Sequence, residues 1–387
     1  MKSNKNLWIL VFICIINSIG FGIIVPLLYT IGKKYGATPQ TIGLLTAAFS
    51  VAQFIATPFM GALSDRFGRK PLLTISLIGT CISFLMFTWA ESLMIIFAAR
   101  ILDGLTGGNI SVAQAMVTDT STAKDRAKKF GFLSSAFGFG FVIGPAAGGL
   151  LNELGPKVPF YFAAAISLTG ILLTMFFLEE TNPAAKRSKA KKDSKFSFKS
   201  LVTVLKMPAV GLAILVGFLL TTAQFTMLIG FQTFTLDILK LKPTQIGIFY
   251  AAFGVSGILG QLIVPGAIKF IKAKSVILLI STALCLAAMA GSGFTAVLIP
   301  FAICIFIYGI FNGLRNPMLN AIIADHNDPK RQGEVMGVNQ AYISLGQVIG
   351  PITAGFVAVI SVHTVFWLAS FYILIALLFS FMLKAKA

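Results

Sequence analysis

The chain has 387 residues, of which 57% are hydrophobic and only 11% are charged. A soluble domain carries about a quarter charged residues, so this composition excludes a soluble globular enzyme. The net charge is +18, but the basic residues lie in the links between apolar runs. That pattern indicates membrane topology and not a nucleic-acid-binding surface. We therefore expect an all-α polytopic membrane protein. Its partner is the lipid bilayer, and we expect it to bind no nucleic acid.

Twelve apolar runs follow one another along the chain. They fall near 7–29, 40–62, 72–90, 93–117, 130–151, 158–178, 208–236, 244–268, 275–293, 296–322, 334–357 and 363–383. A segment in lipid has to satisfy its own backbone hydrogen bonds, so each run is predicted to be a transmembrane helix. Because twelve is an even number, both termini are predicted to lie on the same side of the membrane.

The distribution of Lys and Arg predicts which side that is. With the N-terminus inside, the inner segments hold 24 Lys and Arg residues and the outer loops hold 5. Short loops rich in Lys and Arg stay in the cytoplasm. We therefore expect a multi-pass protein of the inner or plasma membrane with both termini cytoplasmic.

The two halves of the sequence repeat each other. The segment VIGPAAGGLL at 142–151 matches VIGPITAGFV at 348–357, and Asp119 and Asp325 share the same offset of 206. We predict two pseudo-symmetric six-helix bundles, 1–178 and 207–387. Repeats of parallel topology predict a cavity between the halves near mid-membrane and alternating access.

A basic linker at 179–206 is predicted to join the two bundles on the cytoplasmic side. We interpret it as a flexible hinge, with a short amphipathic helix at 196–205 that lies on anionic lipid. A regulatory or partner-binding role is the alternative.

A charged cluster is predicted where the second run turns into the third. In GALSDRFGRKP at 61–71, Arg66, Arg69 and Lys70 supply cationic partners for Asp65. Asp119, at the inner end of the fourth run, is a plausible acceptor for Arg69, and we expect Asp65 to sit by the N-terminus of the next helix. Such a cluster can latch one conformational state and release in the other. Ordinary inside-positive charge is the alternative.

Glycines at spacings of four mark the fifth run, and the eleventh run repeats part of the pattern. This spacing puts glycines on one stripe and allows close helix contact, whereas a proline bends the helix. We predict paired gating helices at the boundary between the halves, with generic packing as the alternative. The residues are Gly140, Gly144, Pro145, Gly148, Gly149, Gly350 and Pro351.

Arg100 and Asp103 are charged residues near the middle of the fourth run. At a spacing of three they can share a helix face and neutralise each other. Ionisable residues inside a membrane are candidates for function. We predict that Asp103, with Arg100, titrates as substrate binds and so couples transport to protons. A static buried ion pair is the alternative.

Arg315, in the tenth run, has no acidic neighbour on its predicted helix, and the repeat maps Asn109 onto it. We predict that it lines a substrate cavity, where it attracts an anionic or carbonyl-bearing substrate or pairs with a carboxylate. A charge at the cytoplasmic end of a bent helix is the alternative. The predicted cavity residues are Asn17, Asn109, Gln114, Gln224, Asn312, Arg315, Asn316, Asn339 and Gln340.

Three motifs resemble those of one family. The 61–71 segment resembles the signature loop of the major facilitator superfamily. FGFGFVIGPAAGG at 137–149 resembles the Gly-Pro motif of its drug/proton antiporters, and Arg100 with Gly104 resembles the fourth-helix motif of proton-coupled members. The resemblance implies a member of the tetracycline and multidrug efflux branch, which confers antibiotic resistance. Tetracycline exporters carry acidic residues where this chain has Asn17, near Ser83 and in the C-terminal half. The seventh to twelfth runs of this chain contain no acidic residue near mid-membrane, which leaves Asp103 as the deep proton site.

The sequence therefore predicts a secondary transporter that exports amphipathic small molecules or drugs in exchange for protons. The alternative is a proton-coupled or facilitative importer of a small polar metabolite on the same fold. No phosphate-binding loop, catalytic constellation or metal spacing is present in the sequence. We expect no enzymatic activity, no cofactor and no metal, and a monomer whose partners are its substrate, protons and lipid.

Overall fold

The structure, a computed structural model, describes residues 2–121, 123–183, 198–327 and 331–386. These residues form fourteen α-helices and no strand. The helices are α1 (Lys2–Lys33), α2 (Pro39–Phe67), α3 (Arg69–Thr88), α4 (Leu93–Thr106), α5 (Asn109–Asp119), α6 (Ala123–Asn152), α7 (Val158–Phe177), α8 (Phe198–Leu205), α9 (Pro208–Thr233), α10 (Pro243–Phe270), α11 (Lys274–Phe294), α12 (Leu298–Asp325), α13 (Gln332–Val357) and α14 (Val362–Lys386).

The predicted all-α membrane fold is confirmed. Within the described ranges, eleven helical stretches are long and apolar enough to cross a membrane. Helix α13 has 26 residues, long enough for a twelfth crossing, but Asn339, Gln340 and Gln347 lower its hydropathy. Each predicted run falls on one of these helices, except that the fourth run falls on two and the seventh continues from α9 into a π-helix at Phe234–Ile238.

The fourth run forms two helices because its backbone breaks at Gly107 and Gly108. The carbonyls freed by the break find partners on neighbouring helices. The Ser76 hydroxyl donates to the Thr106 carbonyl, and Gln53 Nε2 donates to the Gly107 carbonyl at 3.3 Å. A break inside lipid is tolerated only when freed backbone groups are satisfied in this way.

One compact unit comprises Met1–Ala37, Ala48–Ser194 and Lys242–Ala251. Within it, α1 packs against α6 and α7, and α3 packs against α4 and α7. Its core joins apolar side chains of α1, α3 and α5, such as Leu10, Leu73 and Met116.

The other unit comprises Thr38–Ala47, Lys195–Leu241 and Ala252–Ala387. Here α9 packs against α13 and α14, and α11 packs against α12 and α14. Each helix has the same neighbours as its repeat counterpart in the other unit, so the two units share one internal plan. The bundle limits 1–178 and 207–387 stay a prediction.

Most of the predicted linker, 184–197, lies outside the described residues, as does the start of the predicted amphipathic helix. The described part ends in α8, where Val204 is buried. The Leu205 carbonyl lies directly against Gly211 at the start of α9, with no space for a side chain there. The end of the linker is therefore packed onto the transmembrane helix that follows it.

Candidate functional site

Arg100 and Asp103 form a buried ion pair on α4. The helix begins after Ser92, whose hydroxyl accepts a hydrogen bond from the Ile95 N–H, and the i, i+3 spacing then puts both charges on its buried face. Arg100 Nη1 lies 3.9 Å from Asp103 Oδ2, and the side chains are 2% and 10% exposed. Thr80 Oγ1 donates to Asp103 Oδ1 at 3.0 Å. At 3.9 Å the pair is a charge contact and not a hydrogen bond.

An aromatic ring supplies the other partner of Arg100. Its guanidinium carbon lies 4.1 Å from the centre of the Phe49 ring on α2, a cation–π geometry. Gly104 brings the two helices together, since a Cβ there would lie 2.5 Å from the Phe49 carbonyl oxygen. Arg100 Nε and Nη1 are buried without a hydrogen-bond partner among the described residues. The arginine can thus stay in place when the carboxylate gains a proton.

Two predicted cavity residues of this unit contact each other. Asn109 Nδ2 donates to Asn17 Oδ1 at 2.8 Å, which joins the first residue of α5 to α1. Asn109 is buried and its Oδ1 has no partner in the described part of the chain. Gln114, on the next turns of α5, is exposed. The structure therefore brings Asn17 and Asn109 together.

Three predicted cavity residues meet in the other unit. Arg315 Nη2 donates to Gln224 Oε1 at 2.8 Å, and Arg315 Nε donates to Asn316 Oδ1 at 3.3 Å. The arginine is 6% exposed. The remaining predicted positions of this unit do not join that contact: Asn312 is half-buried, Asn339 is buried and Gln340 is exposed.

Arg69 is the centre of the cluster that follows α2. Its Nη2 lies 2.6 Å from Asp65 Oδ1 and its Nε lies 3.1 Å from Asp119 Oδ2. Its Nη1 donates to Ser64 Oγ at 2.6 Å. Arg66 takes a different position, exposed and over the ring of Phe67 at 5.2 Å. The guanidinium thus ties the end of α2 and the start of α3 to the end of α5.

Glu180, which sequence reasoning missed, binds the N-terminus of α3. Its Oε1 accepts from the Arg69 N–H at 3.0 Å, and its Oε2 accepts from the Lys70 N–H at 3.1 Å. We expected Asp65 in this position, but Asp65 pairs with the Arg69 side chain instead. Gly68 makes the turn with φ of 107°, a conformation that favours glycine. The carboxylate of Glu180 is favoured there because the first N–H groups of a helix have no partner within it.

The residues beside Glu180 also contact the cluster. Thr181 Oγ1 donates to Asp119 Oδ2 at 3.1 Å, and Asn182 Nδ2 donates to the Asp65 carbonyl at 2.9 Å. The signal in the sequence was the polar stretch EETN directly after the sixth run. That stretch lies at the start of the predicted linker 179–206, but Glu180, Thr181 and Asn182 contact the cluster.

The glycine stripe of α6 packs closely against α1. A Cβ on Gly140 would lie 2.5 Å from Ser18 Cβ, and one on Gly144 would lie 2.6 Å from the Ile19 carbonyl oxygen. Gly148 likewise faces Ile23. The stripe therefore makes the close helix contact that its spacing predicts, with α1 as its partner, and the gating role stays a prediction. Glycines spaced by four share a single face, and that face is occupied by α1.

A different face of α6 meets the start of α10. The Pro145 carbonyl lies directly against Gly247, and a Cβ on Gly149 would lie 2.9 Å from Thr244 Cα. Thr244 Oγ1 also donates to Glu153 Oε1 at 2.7 Å. Pro145 and Gly149 thus approach a helix from the second half of the sequence.

Helix α13 in the other unit likewise contacts two different helices through two of its faces. Gly350 lies against α9, where a Cβ would be 2.6 Å from the Thr222 carbonyl oxygen. The Pro351 carbonyl lies directly against Gly43 of α2. The proline carbonyls of α6 and α13 therefore occupy equivalent positions against the first turns of α10 and α2.

No group of three or more metal-binding side chains occurs in the described ranges.

A family model described as the Major Facilitator Superfamily matches residues 10–289 and 214–387. The tetracycline resistance protein, class C, of Escherichia coli is 31% identical over 91% of this chain and 89% of its own length. Multidrug resistance protein 2 of Bacillus subtilis is 30% identical over 100% of this chain and 98% of its own. A solved bacterial homologue of the human lysosomal transporter Spinster, inward-facing and occupied, has a TM-score of 0.81 at 14% identity, covering 98% and 96%.

Proposed function

Because the chain belongs to the Major Facilitator Superfamily, we propose that it exports amphipathic small molecules or drugs in exchange for protons. The family makes it a multi-pass membrane transporter of small molecules and not an enzyme. The export direction is supported by relatives named for tetracycline and multidrug resistance that match over nearly the whole chain. We further propose that both termini are cytoplasmic and that the protein works as a monomer.

The buried Arg100–Asp103 pair is the observation that carries proton coupling. Asp103 is held by one hydrogen bond from Thr80 and by a charge contact of 3.9 Å, not by a network of strong donors. A carboxylate in such a place can accept a proton and lose its attraction to Arg100, while Phe49 retains the guanidinium. The proton would arrive from outside as substrate leaves, and deprotonation towards the cytoplasm would restore the pair.

The Arg69 cluster supports a separate role in the conformational cycle. Arg69 joins Asp65 at the end of α2 to Asp119 at the end of α5, and Glu180 fixes the start of α3 beside them. These contacts lie at helix ends, away from the buried pair on α4. We assign them to the stability of one conformational state and not to substrate binding.

Transport into liposomes tests the proposal. Purified protein is reconstituted with the pH-sensitive dye pyranine trapped inside, and tetracycline or ethidium is supplied under an imposed pH gradient. We expect uphill substrate movement in exchange for protons, and loss of both when nigericin with K⁺ collapses the gradient. Equilibration of a substrate that is unaffected by the gradient would favour a facilitator instead.

A further inference from the structure

Arg315 is a buried cation that the contacts within its unit leave uncompensated. Its Nη2 and Nε donate to the side-chain oxygens of Gln224 and Asn316, which are neutral amides. Its Nη1 is buried and has no hydrogen-bond partner among the residues described. Two amide contacts fix the plane of the guanidinium, and Nη1 is enclosed without an acceptor among the residues described.

The acidic side chains described in this unit lie too far away to neutralise Arg315. Asp325 lies ten residues further along α12, a rise of about 15 Å, and pairs with Lys274 at 2.5 Å. Asp237 follows the end of α9, thirteen residues beyond Gln224, a rise of about 20 Å. Arg100 in the other unit differs, because it has both Asp103 and the Phe49 ring.

An aromatic pair lies two helical turns from the cation. Tyr308 precedes Arg315 by seven residues on α12, a rise of about 10 Å, and is buried. The Tyr308 ring stacks on Phe253 of α10, with centroids 6.2 Å apart and planes 7° apart. A buried cation with an unsatisfied donor, two turns from a pair of aromatic rings, suits a molecule that carries both an anionic group and an aromatic body.

We propose that Arg315 binds the carboxylate of an aromatic organic anion or zwitterion that the protein transports. This deepens the proposed function and rests on it. A carboxylate would supply the acceptor that the buried Nη1 lacks and would compensate the charge, which is costly to leave alone inside a membrane. The planar guanidinium presents several donors to the two oxygens of a carboxylate. Gln224 positions the guanidinium without competing for its charge.

Rhodamine B and its ethyl ester provide a matched pair of probes, since they differ only in the free carboxylate. Binding to purified protein in nanodiscs is followed by fluorescence polarisation. We expect the wild-type protein to bind the acid more tightly than the ester. Arg315→Gln should weaken binding of the acid by about tenfold or more, the range for losing a hydrogen bond to a charged group. Binding of the ester should change by less than about twofold.

Two further variants separate a charge effect from a folding defect. Gln224→Glu keeps Arg315 but places a carboxylate where the 2.8 Å contact now lies, so it should abolish the preference for the acid. Arg315→Lys should restore part of the acid binding, because a point charge remains but the planar fork is lost. Lys272→Gln, which removes an exposed charge from the loop before α11, should leave both affinities unchanged.

The outcomes distinguish this inference from the proposed function. Equal weakening of acid and ester by Arg315→Gln, or an unchanged preference in Gln224→Glu, would overturn the carboxylate site. Wild-type protein that prefers the acid through Arg315 but transports it without regard to a pH gradient would retain the site and reject proton exchange. Proton-driven transport by a wild-type protein that binds the acid and the ester equally would support proton exchange and reject the carboxylate site.

Discussion

Replacing Asp103 with Asn removes the charge of the buried pair and preserves the shape of the side chain. The amide can still accept the hydrogen bond from Thr80, but Arg100 loses its negative partner. Asn cannot take up and release a proton, so we expect uphill transport driven by a pH gradient to be abolished. Downhill exchange of substrate and substrate affinity should persist within a few-fold.

The cost in stability follows from what remains around Arg100. Breaking a buried ion pair by removing one partner costs about 3–5 kcal/mol. The pair here is 3.9 Å apart without a hydrogen bond, and the Phe49 ring still contributes about 0.5–2 kcal/mol to the cation. We therefore expect a loss of about 3 kcal/mol in the free energy of unfolding. Arg100→Gln combined with Asp103→Asn should recover most of it, since no unpaired charge is left.

Two assays check these expectations. Titration with dodecyl sulfate in mixed micelles measures the free energy of unfolding, and pyranine in liposomes measures proton movement. Glu91→Gln is the control, because it removes an exposed carboxylate from the loop before the same helix. Full proton-driven transport by Asp103→Asn would refute Asp103 as the coupling residue. A double variant no more stable than Asp103→Asn would refute the electrostatic reasoning.

Three further substitutions test the helix contacts and the Arg69 cluster. Gly144→Ala should destabilise the protein by about 1–3 kcal/mol, because the added Cβ meets the backbone of α1. Gly131→Ala is the control on the same helix, since its Cβ meets nothing within 4 Å. It should be neutral or stabilising in the micelle titration. Glu180→Ala should lower the free energy of unfolding by about 1 kcal/mol, because the N-terminus of α3 loses its cap. Glu179→Ala is the control, since the Glu179 side chain is exposed, and should have no such effect. Equal losses in the two variants would contradict the capping role of Glu180. Asp65→Ala should slow turnover in liposomes and leave substrate affinity within a few-fold, and a large loss of affinity at normal exchange rates would count against the latch.

The helices could be predicted from the sequence because the bilayer imposes their length and composition. Run limits such as 158–178 and 208–236 agree with α7 and α9 to within a few residues. The break in the fourth run was missed, although Gly107-Gly108 was its signal. Glycine is common in membrane helices, so a glycine pair alone does not identify a break. Partners from other helices, Gln53 and Ser76, decide it.

The candidate sites were predicted in their residue types but not in all their contacts. Local spacing was enough for Arg100 with Asp103, which are three residues apart. The contact of Glu180 with Arg69 joins positions 111 residues apart. The spacing of residues along a helix predicts only local contacts and not one between such distant positions. The neighbour of the Gly144 stripe was not predicted for the same reason. A stripe shows that a helix packs closely, and only the fold shows against which neighbour.

The two halves keep one plan of helix packing but differ in buried charge. The Arg100–Asp103 pair in the first half is formally neutral. Arg315 in the second half meets Gln224 and Asn316 and retains its charge. A neutral pair can vary its charge by binding a proton, whereas an uncompensated arginine can be neutralised only by an anion. The proton and an anionic substrate would therefore be bound by different halves, which lets each half respond to one of them.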